Sequence, residues 1–330
     1  FTLMSMVWIR AHWRRSIQPP RRPGLRLASC CTSVLLALLA SPSWSAPLSI
    51  SVRGHEITHP IFSIFAAPDE QLTLGLSGYD TRQVQLYLDG QAYGSAADGR
   101  WQLAAPPEPG LYELQLNHLV SDDRVVLNLF VGVPASAVKA GYLDGYRIGR
   151  TPPGDTRYPA RYRAPDRFYK VTAQMLNLRL SPHFTLGQFL CKQASDFPKY
   201  LVLTESLLVV LETILAEVRS RGYQVETFGV ISGYRTPYYN RKIGNVANSR
   251  HVYGDALDFF IDQNGDGLMD DLNRDGKRNR ADVDVLFQLI EDVKAKTDNV
   301  LLVGGVGRYY RASHHGGFVH VDTRGHRARW

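Results

Sequence analysis

The chain has 330 residues, enough for two modest domains that each bury a core of their own. Its formal net charge is +7, but residues 1–45 hold six arginines and no Asp, Glu or Lys, so the remainder carries only +1. A nearly neutral remainder argues against nucleic acid as a partner. No stretch reaches about 18 unbroken apolar residues, so we expect no membrane-spanning helix in the mature chain.

Residues 1–45 have the features of a targeting segment. A basic stretch from Arg14 to Arg26 precedes a mostly apolar run from Leu27 to Ala40. Small residues follow at Ser43 and Ser45, a pattern that predicts a secretory signal peptide cleaved after about Ser45. An uncleaved short anchor is the alternative. We therefore expect an exported protein that resides in the periplasm.

Residues 46–133 have a short, β-like pattern in which apolar residues alternate or run together. Turn residues such as Asp89-Gly90 and Pro109-Gly110 separate the segments. Several short strands at this spacing predict a small β-sandwich of the immunoglobulin-like type. The predicted strands are 48–52, 72–76, 84–88, 111–116 and 125–131.

Residues 134–180 are richer in Pro, Gly, Arg and Tyr than the segment before them. We interpret them as a linker packed on the second domain, with a wall of the substrate groove as the alternative. The second domain spans residues 181–330. Apolar residues at helical spacing between Thr204 and Gly222 predict one helix, and residues 283–293 predict another. With predicted strands at 225–231, 256–261, 300–303 and 318–321, this domain is expected to be α+β, with a mainly antiparallel sheet.

The residues His251, Asp258 and His320 form the first candidate site. His251 precedes a predicted strand, Asp258 lies within that strand, and His320 lies on another strand. Adjacent strands can bring such side chains to one point. Two imidazoles and one carboxylate suit zinc, and three protein ligands leave a position for water. A histidine in a strand is often only a satisfied polar residue, so the spacing alone leaves that alternative open.

Three sequence blocks in this domain resemble the M15 family of zinc peptidases, which contains D-alanyl-D-alanine carboxypeptidases and murein endopeptidases. The blocks are Ser232-Gly-Tyr-Arg235, Ser249-x-His251-x-x-Gly254-x-Ala256-x-Asp258 and Phe318-Val-His320-Val-Asp322. The resemblance implies that His251, Asp258 and His320 bind zinc and that the protein hydrolyses peptide bonds in peptidoglycan. It also implies that Arg235 orients a substrate carboxylate or stabilises the oxyanion. A structural salt bridge is the alternative role for Arg235.

The general base departs from the family pattern. Many members have an acidic residue three positions before the last histidine, where this chain has Gly317. Asp322 is the nearest acidic residue to His320, and strand alternation places both on one face, so Asp322 is the candidate base. Its alternative role is to hold an imidazole in place. His314 and His315 either contact substrate or lie in a solvated loop. The missing acid motivates a rival function, an inactive metal-stabilised module that binds peptidoglycan or a partner.

Two acidic loops form an insertion at residues 262–282 and predict calcium sites. Oxygen-bearing residues fall at loop positions 1, 3, 5 and 9, with glycine at position 6, although the last ligand of the second loop is Asp rather than Glu. They resemble the tandem calcium repeats of dockerin-type modules, and a solvated acidic loop is the alternative. The candidate ligands are Asp262, Asn264, Asp266 and Asp270, then Asp271, Asn273, Asp275, Asn279 and Asp282.

Overall fold

The computed structural model describes residues 48–155, 157–296, 302–313 and 315–330. The expected signal peptide at 1–45 and His314 lie outside the described residues, as does the first half of the strand predicted at 300–303. Val303, in the described half, is not in a strand. Among the described residues, no helix combines the length and apolar character that a membrane span requires.

The first nine strands form two sheets that bury apolar side chains in the core. A four-stranded sheet has the order β2-β1-β4-β7, and a five-stranded sheet has the order β3-β9-β8-β5-β6. Alternating burial along β1 and β4 follows from the two-residue period of a strand, which sends every second side chain into the core. The strands are β1 (Ser49–Val52), β2 (His55–Ile57), β3 (Ile61–Ala66), β4 (Gln71–Ser77), β5 (Val84–Leu88), β6 (Gln91–Tyr93), β7 (Arg100–Ala104), β8 (Gly110–His118) and β9 (Arg124–Val131).

All five strands predicted in this part of the chain are confirmed, and the sequence missed the other four. The segment that follows contains short elements rather than bare coil. β13 pairs with both β10 and β16, and two hairpins join β11 to β12 and β14 to β15. The elements are β10 (Val133–Pro134), β11 (Tyr142–Leu143), β12 (Tyr146–Arg147), β13 (Arg167–Val171), β14 (Arg179–Ser181), β15 (Phe184–Thr185), α1 (Leu186–Phe189) and β16 (Lys199–Leu201).

The last part of the chain surrounds a five-stranded sheet with the order β17-β18-β20-β19-β21. Every pair in this sheet is antiparallel except β19 with β21. Because most pairs throughout the described residues are antiparallel and four α-helices accompany them, the fold is α+β, as predicted. The elements are α2 (Glu205–Ser220), β17 (Gly229–Ser232), α3 (Pro237–Lys242), β18 (Ala256–Phe260), α4 (Arg280–Ala295), β19 (Gly305–Tyr309), β20 (Phe318–Asp322) and β21 (Ala328–Arg329).

The two long helices form where the sequence pattern predicts them. In α2, apolar residues recur every three to four positions, which is the helical period, and their side chains are buried. Thr204 precedes its first turn. The N-terminus of α4 is capped by Asn279, whose side chain accepts a hydrogen bond from the Ala281 amide at 2.8 Å.

Buried polar contacts tie the first two sheets to the rest of the molecule. Glu205, at the start of α2, accepts hydrogen bonds from the Arg53 guanidinium at 2.6 Å and the Phe65 amide at 3.0 Å. The Ser63 hydroxyl donates to the Leu180 carbonyl at 2.9 Å. Since such groups are costly to bury without partners, these contacts fix the sheets against α2 and β14.

Candidate metal centre

Strand register brings two of the three predicted ligands together. β18 and β20 are antiparallel neighbours, and Asp258 lies directly opposite His320. Directly opposed residues have Cβ atoms about 4.5–5.5 Å apart, so the sheet itself places carboxylate beside imidazole.

The third ligand comes from a 3-10 helix, Arg250–Tyr253, that contains His251. Gly254 ends this helix with a φ of +74°, and a Cβ at that position would lie 2.3 Å from the Val202 carbonyl oxygen. Both the left-handed backbone and the close approach require glycine. The chain then enters β18, and His251 Nε2 lies 3.1 Å from Asp258 Oδ1 in that strand.

The three side chains present their ligand atoms as a small triangle. Asp258 Oδ1 is 3.1 Å from His251 Nε2 and 2.8 Å from His320 Nδ1, and the two nitrogens are 3.2 Å apart. Tetrahedral bonds of about 2.0–2.1 Å to one ion would separate ligand atoms by about 3.3 Å. Within the described part of the chain, this is the one group of three or more His, Cys, Asp or Glu residues that could hold a metal ion. The donor set and its spacing therefore fit a single zinc-type ion.

Each imidazole is oriented through its other nitrogen. His251 Nδ1 donates to the Gly233 carbonyl at 2.7 Å, which leaves Nε2 unprotonated toward the triangle. His320 has the reverse arrangement, because its Nε2 donates to Asp322 Oδ2 at 3.0 Å and leaves Nδ1 toward the triangle. Partners of this kind set the tautomer and raise the basicity of metal-binding histidines.

The Asp322 carboxylate is fully buried and already engaged on both oxygens. Oδ1 accepts from the Gly305 amide at 2.8 Å and from Arg324 Nε at 2.9 Å, and Oδ2 accepts from His320 and Arg324. These contacts lie beside the ring nitrogen of His320 that faces away from the triangle. The geometry supports the role of holding the imidazole over the general-base role.

Arg235 contacts the site through the second oxygen of Asp258. Its Nη2 donates to Asp258 Oδ2 at 2.6 Å, and its Nε donates to the Ser232 hydroxyl at 2.7 Å. Asp258 thus uses one oxygen in the triangle and the other in this buried ion pair. Arg235 also lines the cleft described below, so the structural and substrate-facing roles are both compatible with its position.

The electrostatics of the triangle favour a positive charge at its centre. Burial lowers the pKa of His251. Burial also disfavours the charged form of His320, but hydrogen bonds to Asp258 and Asp322 outweigh it and raise the pKa to about 9. Burial opposes ionisation of Asp258, yet the two histidines hold its pKa well below the usual range. A metal ion would replace the imidazolium proton, so binding should weaken as pH falls.

A cleft of about 800 Å³ opens over the triangle. This volume is within the range of pockets that bind small molecules or peptide segments. Among the lining residues of the described chain, Asp258 is the one acid, whereas the cations are Lys192, Arg235, Arg250 and Arg324. The apolar and aromatic lining comes from two parts of the chain: Ile231, Tyr239, Ile243 and Val246 in the first, and Tyr309, Phe318 and Trp330 in the second.

Sequence reasoning missed several of these lining residues. Lys192 is far from the three ligands in sequence. Its pKa is lowered mainly by burial and also by the nearby charge of Arg235. The Trp330 ring lies 5.2 Å from the His320 ring, and its Nε1 donates to the Tyr309 hydroxyl at 2.9 Å. No local pattern marks Lys192 or Trp330, because only the folded sheet brings them to the cleft.

The two acidic loops have the same local structure. In each, the first Asp accepts hydrogen bonds from the amides at loop positions 5 and 6, and the Asn at position 3 accepts from position 5. Both position-6 glycines have left-handed φ angles, +80° at Gly267 and +82° at Gly276. This repeat includes Asp262, Asn264 and Asp266 in the first loop, and Asp271, Asn273 and Asp275 in the second.

The remaining predicted calcium ligands make structural contacts. Asn279 caps α4, and the buried Asp282 accepts backbone hydrogen bonds at 2.7 Å and 2.6 Å. Asp270 Oδ2 accepts from the Gln263 amide at 2.7 Å. Arg278 Nη1 lies 2.5 Å from Asp266 Oδ2 in the first loop. Asp282 lies in the first turn of α4 and Asn279 caps that helix, whereas the other seven residues lie in the loops, and calcium itself stays a prediction.

The fold and the buried triangle define an α+β protein with a candidate mononuclear metal centre beside an open cleft. Comparison with known families makes this more specific. Residues 183–279 match the Peptidase M15 family, so the chain contains an M15 family peptidase segment. The match includes Arg235, His251 and Asp258 and ends before His320. The comparison with curated proteins finds no match.

Proposed function

We propose that the chain is a zinc-dependent peptidase that hydrolyses peptide bonds in the stem peptides or cross-links of peptidoglycan. The observation that carries this proposal is the triangle of His251 Nε2, Asp258 Oδ1 and His320 Nδ1 beside the cleft. The Peptidase M15 match over two of these residues supports peptide hydrolysis. Zinc held there would polarise the scissile carbonyl and lower the pKa of the attacking water.

The chain's own residues would bind and orient the substrate. Arg235 is held by Asp258 and Ser232, so its planar guanidinium is fixed where it can meet a carboxylate or a developing oxyanion. Lys192 adds another cation to the cleft. Peptidoglycan stem peptides carry carboxylates, and a cleft with cations and a single acid among its described lining residues suits such a substrate.

Export and calcium belong to the same proposal. The expected signal segment at 1–45 supports an exported protein, and the periplasm would give it access to peptidoglycan. We propose that the loops at 262–282 hold calcium, supported by their repeated geometry and left-handed position-6 glycines. Because the loops connect β18 to α4, calcium there would stabilise the strand that carries Asp258.

The experiment is hydrolysis of purified sacculi by a protein comprising residues 46–330, with mass analysis of the released fragments. We expect peptide-bond products that disappear after chelation and return when zinc is added. Asp258→Ala should abolish them, whereas Asp292→Ala, a surface change on α4 that affects an ion pair with Arg221, should not. Products that persist in a zinc-free sample would contradict the proposal.

One observation favours the rival function of a metal-stabilised binding module. The family's acidic position is occupied by Gly317, and among the described residues that line the cleft, Asp258 is the sole acid. A protein that retains stoichiometric zinc and sediments with sacculi but releases no fragments would establish this rival.

A further inference from the structure

We propose that a pocket lined by Arg147, Arg150 and Arg241 is a second peptidoglycan-binding site, which holds a carboxylate of a stem peptide outside the cleft. We call it the arginine pocket. The inference rests on the proposed peptidase function and adds a substrate contact to it, because the cleft and the arginine pocket share one short helix, α3.

The arginine pocket lies on the opposite side of α3 from the cleft. Tyr239 in this helix and Ile243 just after it line the cleft, whereas Arg241 lines the arginine pocket. Each residue turns an α-helix by about 100°, so residues two apart point to nearly opposite sides. An α-helix with its side chains is about 10–12 Å wide, a distance that about three to four extended residues cover. A peptide bound in the cleft can therefore reach the arginine pocket.

The size and charge of the pocket suit a small anionic group. Its volume is about 470 Å³, within the range of pockets that bind small molecules. The described residues that line it include three cations and no acid. Like charges that share one pocket repel each other, and a bound anion removes that repulsion. The other lining residues are Val138, Ala140, Gly141 and Gly149.

The three guanidiniums have no carboxylate partner within the part of the chain that the structure describes. Arg235 and Arg250, which line the cleft, each form a buried ion pair with an aspartate. In the arginine pocket, Arg241 Nη1 donates one hydrogen bond to the Arg150 carbonyl at 2.9 Å. The remaining N–H groups are donors that a ligand carboxylate can use.

Arg147 is held in place by stacking. Its guanidinium carbon lies 4.0 Å from the centre of the Tyr238 ring and 5.7 Å from that of the Tyr142 ring. Tyr142 lies opposite Arg147 where β11 pairs with β12. Stacking uses the faces of a guanidinium and leaves its N–H edges for a carboxylate, which can accept two parallel hydrogen bonds. A side chain that is already fixed loses less entropy when the ligand binds.

The backbone after β12 packs tightly on the start of α3. The Tyr238 amide donates to the Ile148 carbonyl at 3.0 Å, and the amides of Ile148 and Gly149 both donate to the Gly141 carbonyl at 2.9 Å. Gly149 has a φ of +83°, and a Cβ there would lie 2.7 Å from the Tyr238 nitrogen. Only glycine allows this approach. The two arginines that flank this segment are thus fixed beside the helix.

The test measures binding of the zinc-loaded protein to purified sacculi by sedimentation, in a brief incubation in the cold at low salt. The double variant Arg150→Gln with Arg241→Gln keeps polar side chains and removes two charges. We expect its dissociation constant to rise about 4–25-fold, or about 2–5-fold for each exposed charge pair. The matched control, Arg221→Gln with Arg327→Gln, removes two exposed charges outside both linings and should bind as the unmutated protein does. Zinc content and a cooperative melting transition show that each variant is folded.

Modified sacculi identify the anion. Amidation of the sacculus carboxylates should abolish the difference in affinity between the unmutated protein and the double variant. Removal of phosphate polymers with acid should preserve that difference; its loss would identify a phosphate ligand and overturn the carboxylate assignment. Equal affinity of the double variant and the unmutated protein for untreated sacculi, or an equal loss in the control, would overturn the pocket itself. If the unmutated protein releases no fragments but arginine-dependent binding persists, the proposed peptidase function fails and the binding site stands.

Discussion

Replacing Asp322 by asparagine tests how the His320 imidazole is held. Asp322 is fully buried and accepts hydrogen bonds from His320 Nε2 and Arg324. An asparagine has nearly the same shape but no charge, and its amide NH₂ is a donor facing groups that are themselves donors. The change therefore removes the partner of the imidazole without removing any of the three candidate ligands.

The expected magnitude follows from those contacts. Loss of a carboxylate behind a metal-binding histidine weakens metal affinity about 10–100-fold, or about 1.4–2.8 kcal/mol. Arg324 also loses a charged hydrogen-bond partner, which costs about 1.5–3 kcal/mol of folding stability. The Arg324 side chain is 15% exposed, so water can replace part of the lost hydrogen bonding. The lower end of that range therefore applies.

The assay is zinc competition with a chromophoric chelator, followed by hydrolysis at rising zinc concentration. Activity should recover substantially once zinc saturates the weakened site. The matched control is Asp255→Asn, which removes another buried carboxylate paired with an arginine, Arg250, but has no contact with His320. That control should lower thermal stability and leave zinc affinity unchanged. Normal zinc affinity in Asp322→Asn, with hydrolysis still lost at saturating zinc, would refute this reasoning and return Asp322 to the general-base role.

Three further predictions concern the ligands and the loops. Asp258→Ala should lower zinc content and abolish hydrolysis, and near-stoichiometric zinc with normal turnover would contradict the site. Calcium at about 100 times its dissociation constant should stabilise the unmutated protein by about 2.7 kcal/mol in thermal melting. The double change Asp271→Ala with Asp275→Ala should reduce that gain, and the absence of any calcium shift in unmutated protein would exclude the calcium loops. Gly254→Ala should lower the melting temperature, since the left-handed backbone alone costs about 1–2 kcal/mol and the Val202 carbonyl leaves no room for a Cβ; an unchanged melting temperature would contradict this.

Local periodicity predicted the elements whose own residues determine them. Helix α2 repeats apolar residues at the helical period, and strands such as β4 alternate buried and exposed side chains. The sequence missed β3, whose run of buried residues does not alternate and which pairs in parallel with the distant β9. The described half of the strand predicted at 300–303 is not a strand, and the next strand along the chain is Gly305–Tyr309. The glycines in β19 interrupt the alternation of apolar residues that would predict a strand. The segment is a strand because it pairs with β20.

The sequence by itself also predicted the three residues of the candidate metal centre, because the blocks around His251 and Asp258 and around His320, which carry the family resemblance, are local features. The tertiary structure decided what their neighbours do. Strand alternation predicts that Asp322 lies on the same face as His320. It does not predict which groups the Asp322 carboxylate contacts. Hydrogen bonds from Gly305, at the start of β19, and from Arg324, just after β20, then engage that carboxylate. Such contacts join residues through space, so only the folded chain distinguishes a carboxylate that holds an imidazole from one that faces the cleft.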